Sequence, residues 1–259
     1  MSRKKLILHI GSNKTGSSTI QQFLTRNRKR LARRGICFPA GGATVTGNHS
    51  QMARSLQRFC SGVSPDAQAW DEFVAEARAT SCHTVIVSGE AFWTYGPKGE
   101  PFQLLKECIS GLFDDIDIVC YLRRQDEYLR SAYAQGLRSG RTAESFDDYL
   151  QSATDGNRRW LYEYDASLAH WAESFGAEHL IVRPFEREQL HTDGLVADFA
   201  QTCALDTRRL KTREREKNVS PGKRVMAGLA YAQTLLPDIS GTGSEAAWLS
   251  SMCSNMSDA

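Results

Sequence analysis

The run His9-Ile10-Gly11-Ser12-Asn13-Lys14-Thr15-Gly16-Ser17-Ser18-Thr19 sets one lysine among hydroxyl side chains and glycines. It lies between an apolar stretch and the start of a helical pattern. That arrangement suits a phosphate-like anion. Backbone N–H groups at a helix start have no intrahelical partner, and the helix dipole adds partial positive charge there. Glycine lets the backbone come close, and lysine brings a full charge. The order of residues narrows the chemistry. A nucleotide-kinase P-loop carries its lysine after the second glycine, as G-x-x-x-x-G-K-[ST]. Here Lys14 precedes Gly16, so the loop reads as an anion cradle of a different kind.

Two further places have residues suited to chemistry. Ser88-Gly89-Glu90 follows an apolar run, and Arg123-Arg124 follows another. Each has an ordinary reading as a solvated carboxylate or a strand-ending cation, but all three features fall where strands end. A carboxylate in a half-closed cleft has the makings of a general base, so Glu90 is the first candidate. His49, in "GNHSQ" after a flexible loop, is the second. His9 lies inside the first strand and reads as a core histidine. Trp93 and Tyr95 suit either a sugar-stacking platform or core packing. Arg26, Arg28, Lys29, Arg30, Arg33 and Arg34 read as the solvated face of an amphipathic helix rather than a nucleic-acid site.

The elements that must position these residues alternate between strand and helix. Strands are expected at Lys5–Ile10, Ile36–Phe38, His83–Ser88, Ile116–Leu122 and Leu180–Arg183. Between and after them lie helical patterns. Ile20, Phe23, Leu24 and Leu31 mark the first, and Trp70, Phe73, Val74 and Ala77 the second. Others run through Leu104 to Leu112, Tyr128 to Tyr133, Leu168 to Phe175 and Leu195 to Phe199. Short apolar strands alternating with helices predict an α/β fold with a mainly parallel sheet covered on both faces. Ligands of such sheets sit beyond the carboxyl ends of the strands.

Composition adds limits. The chain has 259 residues, a formal net charge of +2 and seven scattered cysteines without a C-x-x-C pair. Wholesale nucleic-acid binding, zinc binding and thioredoxin-like chemistry are not expected. The apolar run near the N-terminus is too short for a signal peptide, and no stretch reaches membrane-spanning length, so a cytoplasmic protein is expected. One domain is expected over residues 1–240, followed by a Ser/Gly-rich tail at 241–259.

"HIGSNKTGSST" resembles the 5′-phosphosulfate loop of sulfotransferases that use 3′-phosphoadenylyl sulfate (PAPS), and the bacterial carbohydrate and cell-surface branch is the nearest match. "YLRRQDEYLRSAY" resembles that family's 3′-phosphate element, with Ser131 eight positions after Arg123, and "IVRPFEREQL" resembles its downstream strand and helix. Ser17 and Ser18 stand where the family usually has threonines, which keeps the hydroxyl chemistry. Asn13 stands where many bacterial members have histidine.

The resemblance implies a three-layer α/β/α sulfotransferase fold related to the P-loop nucleotide hydrolases. It implies PAPS as sulfuryl donor, adenosine 3′,5′-bisphosphate as product, and no required metal. Lys14 would stabilise the departing phosphate. Amides from Thr15 through Gly16 to Thr19, with the Ser17 and Ser18 hydroxyls, would hold the 5′-phosphate. Arg123 and Ser131 would hold the 3′-phosphate, and Gly222-Lys223-Arg224 offers a further contact. The acceptor would be a carbohydrate or glycolipid hydroxyl. A P-loop-type kinase and a non-catalytic nucleotide-binding protein are the alternatives.

Overall fold

Lys5–His9 (β1) is the central strand of a five-stranded sheet in a computed structural model that describes residues 3–212, apart from 63–66, 96–98, 143 and 157–158. The expected tail at 241–259 and the Gly222-Lys223-Arg224 segment lie outside the described residues. The other strands are Ile36–Cys37 (β2), Thr84–Ser88 (β3), Asp115–Leu122 (β4) and Leu180–Pro184 (β5). Their order is β2-β3-β1-β4-β5, and every neighbouring pair is parallel.

Strand alternation explains the layers, because successive side chains point to opposite faces. On β1, Leu6 and Leu8 enter one core with Val85, Val87 and Ile118, while Ile7 enters the other with Ile86, Val119 and Tyr121. The first core is closed by the helices Ser50–Cys60 (α2), Ala67–Ala79 (α3), Gly99–Ile109 (α4) and Tyr164–Phe175 (α7). The second is closed by Ser17–Ala32 (α1) and Leu195–Thr202 (α8). This is the expected α/β/α sandwich. Removing a large side chain such as Leu8 from it would cost about 2–5 kcal/mol.

The described residues fall into two compact units, 3–124 with 163–212, and Gln125–Tyr162. The first contains the sheet. The second contains Gln125–Arg138 (α5) and Phe146–Thr154 (α6), packed through Leu129, Tyr133, Leu137, Tyr149 and Ala153. Ser145 caps α6 by accepting the Asp148 N–H at 3.1 Å. Among the described residues, no helix is long and apolar enough to cross a membrane.

Candidate active site

Because β3 and β4 both flank β1, the three strand ends singled out above meet at one sheet edge. Register places His9 beside Ser88 and Val119, and the Gly89 N–H donates to the His9 carbonyl at 3.0 Å. The loop after β1 is held from below. The Ser12 N–H and hydroxyl both donate to the Tyr121 carbonyl, at 3.2 and 3.1 Å, and the Thr15 hydroxyl donates to the Ser12 carbonyl at 2.6 Å. The Thr15 hydroxyl is therefore part of the loop's own frame.

Lys14 takes the left-handed conformation, with φ +69°. That is costly for a residue bearing a Cβ and clusters at functional sites. Gly16 follows at φ +75°, and a Cβ there would lie 2.4 Å from Leu195 Cδ2, so only glycine fits between the loop and α8. No side chain caps the start of α1, and its first turn holds no acidic residue. The positive end of this sixteen-residue helix dipole is therefore uncompensated by its own first turn. Ser17 is 2% exposed, and its hydroxyl lies near the Glu90 carboxyl without completing a well-formed hydrogen bond. Ser18 is exposed and Thr19 half-buried.

Glu90 opens a short 3-10 helix, Glu90–Tyr95, just past β3. Burial pushes its carboxyl above the usual range, while the Ser17 hydroxyl and the Lys14 and Arg54 charges pull it part of the way back. The net shift is upward, the direction a general base needs in order to work near neutrality. Arg54, on α2, was not anticipated. Its helix has apolar Met52, Ala53 and Leu56 on one side, a pattern that polar neighbours obscure.

His49 requires a correction. The glycine-flanked segment was expected to expose it toward an acceptor, but it is fully buried. Its ring packs edge-on against Phe38 at 5.3 Å, and its Nδ1 lies 3.3 Å from both the N–H and the carbonyl of Ser88. Burial lowers its pKa to about 4. Together with the His49 N–H, which donates to the Ser88 carbonyl at 2.8 Å, these contacts pin the start of α2 to the end of β3. His9 is in the core as expected, with its Nδ1 2.8 Å from the Ser88 hydroxyl. Trp93 and Tyr95 are core residues, packed against Tyr164 and Trp171 respectively, and do not form a sugar platform.

Arg123 follows β4 in the first unit, its guanidinium 5.9 Å from the centre of the Phe185 ring. A Cβ on Gly16 would lie 3.4 Å from that same ring, so Phe185 stands between Arg123 and the loop. Sequence reading gave Phe185 no such part. Ser131 belongs to α5 of the second unit and is buried. In the basic cluster, Arg28 binds the Phe38 and Pro39 carbonyls and Arg34 binds those of Asp206 and Arg208. Arg26, Lys29, Arg30 and Arg33 are exposed.

Behind the loop, Asp198 on α8 accepts from the Tyr121 hydroxyl at 2.7 Å, Arg183 at 2.6 Å and the His191 N–H at 3.0 Å. Burial alone would raise its pKa, but these bonds together hold it below the usual carboxylate range. The network ties α8, and with it Leu195 over Gly16, to β4 and β5.

A sulfotransferase from Alicyclobacillus acidocaldarius aligns with the chain at a TM-score of 0.54 and 16% identity, covering 89% of this chain and 94% of that one. The fold is a sulfotransferase fold. Mouse sulfotransferase SULT7A1 complexed with PAP aligns at a TM-score of 0.44 and 11% identity, covering 93% of this chain and 68% of that one. No family model matches the sequence. An uncharacterized protein of Archaeoglobus fulgidus is 30% identical over 105 residues, 40% of this chain. The chain matches 26% of the length of that curated relative.

Proposed function

We propose that the chain is a PAPS-dependent sulfotransferase acting on a carbohydrate or glycolipid hydroxyl in the cytoplasm. The observation that carries this reading is the meeting of Lys14, Ser17 and Glu90 at one sheet edge, with the lysine ahead of Gly16. The uncapped start of α1 and the buried Ser17 hydroxyl fit the 5′-phosphate end of such a donor. The sequence resemblance assigns the 3′-phosphate to Arg123 and Ser131.

When bound, the donor supplies a sulfuryl group on a good leaving phosphate. The acceptor oxygen forms the new S–O bond as the bond to the phosphate oxygen breaks. Glu90 takes the acceptor's proton, and burial makes it a stronger base than a solvated carboxylate. Lys14 stabilises the negative charge that grows on the departing phosphate, and the amides from Thr15 to Ser18 fix its position; the Thr19 N–H, expected to join them, donates instead to the Gly16 carbonyl at 2.8 Å. The test is transfer of radiolabelled sulfate from PAPS to panels of oligosaccharides and glycolipids. Labelled product from one of these classes supports the reading. Phosphoryl transfer from ATP with magnesium, and no labelled sulfate ester, would replace it with the kinase.

A further inference from the structure

The charges of this chain are unevenly spread. All 30 acidic residues lie from Asp66 onward, while the stretch from Arg3 to Arg58 holds twelve lysines and arginines. Such a split points to a partner with an extended negative surface. Six of the twelve fall within or just past the last two turns of α1, and the structure sorts them. Arg28 donates to the Phe38 and Pro39 carbonyls at 2.7 and 3.2 Å, and Arg34 is engaged by Asp206 and Arg208. Arg26 meets only the neutral Gln22, at 3.4 Å. Lys29, Arg30 and Arg33 are exposed and form no ion pair among the described residues. An open cleft of about 480 Å³ lies between Thr25, Arg26, Arg28, Lys29, Arg30 and Arg33, and none of these described residues brings a carboxylate to it.

A second feature stands beside that face. Val45 is 97% exposed, against 50% for Phe59, the next of the large apolar side chains among the described residues. The fold fixes where it stands. The Gly47 N–H donates to the Thr44 carbonyl at 2.8 Å, which closes a tight turn around Val45, and the Thr25 hydroxyl donates to the Thr46 carbonyl at 3.3 Å. Thr25 therefore lines the cationic cleft and also holds the turn that presents the valine. The helix dipole favours cations in the last turn of α1, but it gives no reason for an exposed valine next to them. A compact anion is held by convergent donors, whereas these cations are exposed along a helix and their cleft is open. A soluble polyanion would use the cations and leave the valine idle. A bilayer surface uses both, since headgroup charge attracts the cations and an apolar tip enters the boundary with the acyl chains.

We propose that the exposed face of α1 from Arg26 to Arg33, together with the turn carrying Val45, is a docking surface for a membrane rich in anionic phospholipid. The attachment is peripheral, since no helix among the described residues is long and apolar enough to cross a bilayer. Arg26, Lys29, Arg30 and Arg33 draw the face to the headgroups, and Val45 is its apolar anchor. A few cations and one small apolar side chain hold weakly, so the docking is reversible and falls with salt. Vesicle binding needs neither sulfuryl donor nor acceptor, so it stands or falls apart from the sulfotransferase reading.

Sedimentation of the full chain with sucrose-loaded vesicles tests this. The chain should pellet with phosphatidylcholine vesicles containing about one-third phosphatidylserine, and stay in solution with phosphatidylcholine alone. Raising the salt from about 0.05 M to about 0.3 M should release it. Lys29→Gln with Arg30→Gln should lower the partition coefficient by roughly 25-fold, about fivefold for each cation lost. Val45→Ser should lower it by roughly three- to tenfold, and Val45→Trp should raise it. Neither Val45 variant should shift the melting temperature, because the side chain is almost wholly exposed. Immobilised heparin serves as the competing polyanion: its grip should weaken in the paired glutamine variant and ignore Val45→Ser. No pelleting with the anionic vesicles, or equal pelleting with the neutral ones, would overturn the proposal. Vesicle binding that is indifferent to Val45 while heparin binding persists would overturn it too, and would make the face a polyanion site.

Discussion

At the amino ends of β1 and β4, Lys5 lies 2.7 Å from Asp117 and 3.3 Å from Asp115, and His179 lies 3.7 Å from Asp115 on the other side. At the carboxyl ends of the same strands, a lysine sits in a left-handed conformation, a helix starts without a cap, and the buried His9 Nε2 and Ser17 hydroxyl complete no well-formed hydrogen bond. One end has its charges matched by the protein itself. The other carries strain and unmet hydrogen bonds that destabilise the fold. A folded chain keeps such features where a ligand completes them. At the amino end, Lys5 pairs with both carboxylates and so offsets part of their charge.

Changes at the carboxyl end should separate activity from stability, and changes at the amino end should not. The largest effect is expected from Lys14→Gly. Sulfate transfer should fall by roughly 10²–10³-fold, as for removal of one group that stabilises transition-state charge. The unfolding free energy should rise by about 1 kcal/mol as the left-handed position loses its Cβ. Loss of both activity and stability would break the comparison. Glu90→Gln should lower kcat by about 10²-fold while binding of adenosine 3′,5′-bisphosphate is retained, as titration calorimetry would show.

Acid provides a third test. His9 and His49 have folded pKa values of about 4 against an ordinary value of 6.5. Between these two values the two histidines bind more protons in the unfolded chain than in the folded one. Stability should therefore fall as pH drops from 6.5 toward 4, by about 1.4 kcal/mol per pH unit for each histidine. Denaturant titrations should show the slope roughly halved in His9→Phe. The smallest effect is expected from Lys5→Met. It should cost no more than about 1 kcal/mol, because the pair is partly exposed, and should leave sulfate transfer unchanged.

Much of this was legible in the sequence. Apolar runs marked β1, β3, β4 and β5, and parallel pairing then brought the loop, Glu90 and Arg123 to one edge. What escaped notice had physical causes. The apolar positions of α2 are diluted by Gln51, Arg54, Gln57 and Arg58, so neither the helix nor the Arg54 charge that acts on Glu90 was anticipated. Helix α6 is nine residues long and starts in a polar stretch. His49 looked exposed because Gly47 and Asn48 precede it. Gly47 instead folds tightly, at φ +86°, with Thr25 Oγ1 2.3 Å from where a Cβ would sit, and the histidine turns inward against Phe38. Nearest-neighbour spacing carries no information about such long-range packing.

The central claim, that the carboxyl edge is a two-phosphate site for a sulfuryl donor, is tested most directly by thermal unfolding with adenosine 3′,5′-bisphosphate in the presence of EDTA. At about a hundredfold excess over its dissociation constant, the bisphosphate should raise the melting temperature by roughly 5 °C or more in the wild type and far less in Lys14→Gly. No shift with the bisphosphate, together with a clear shift from ATP and magnesium, would contradict the account.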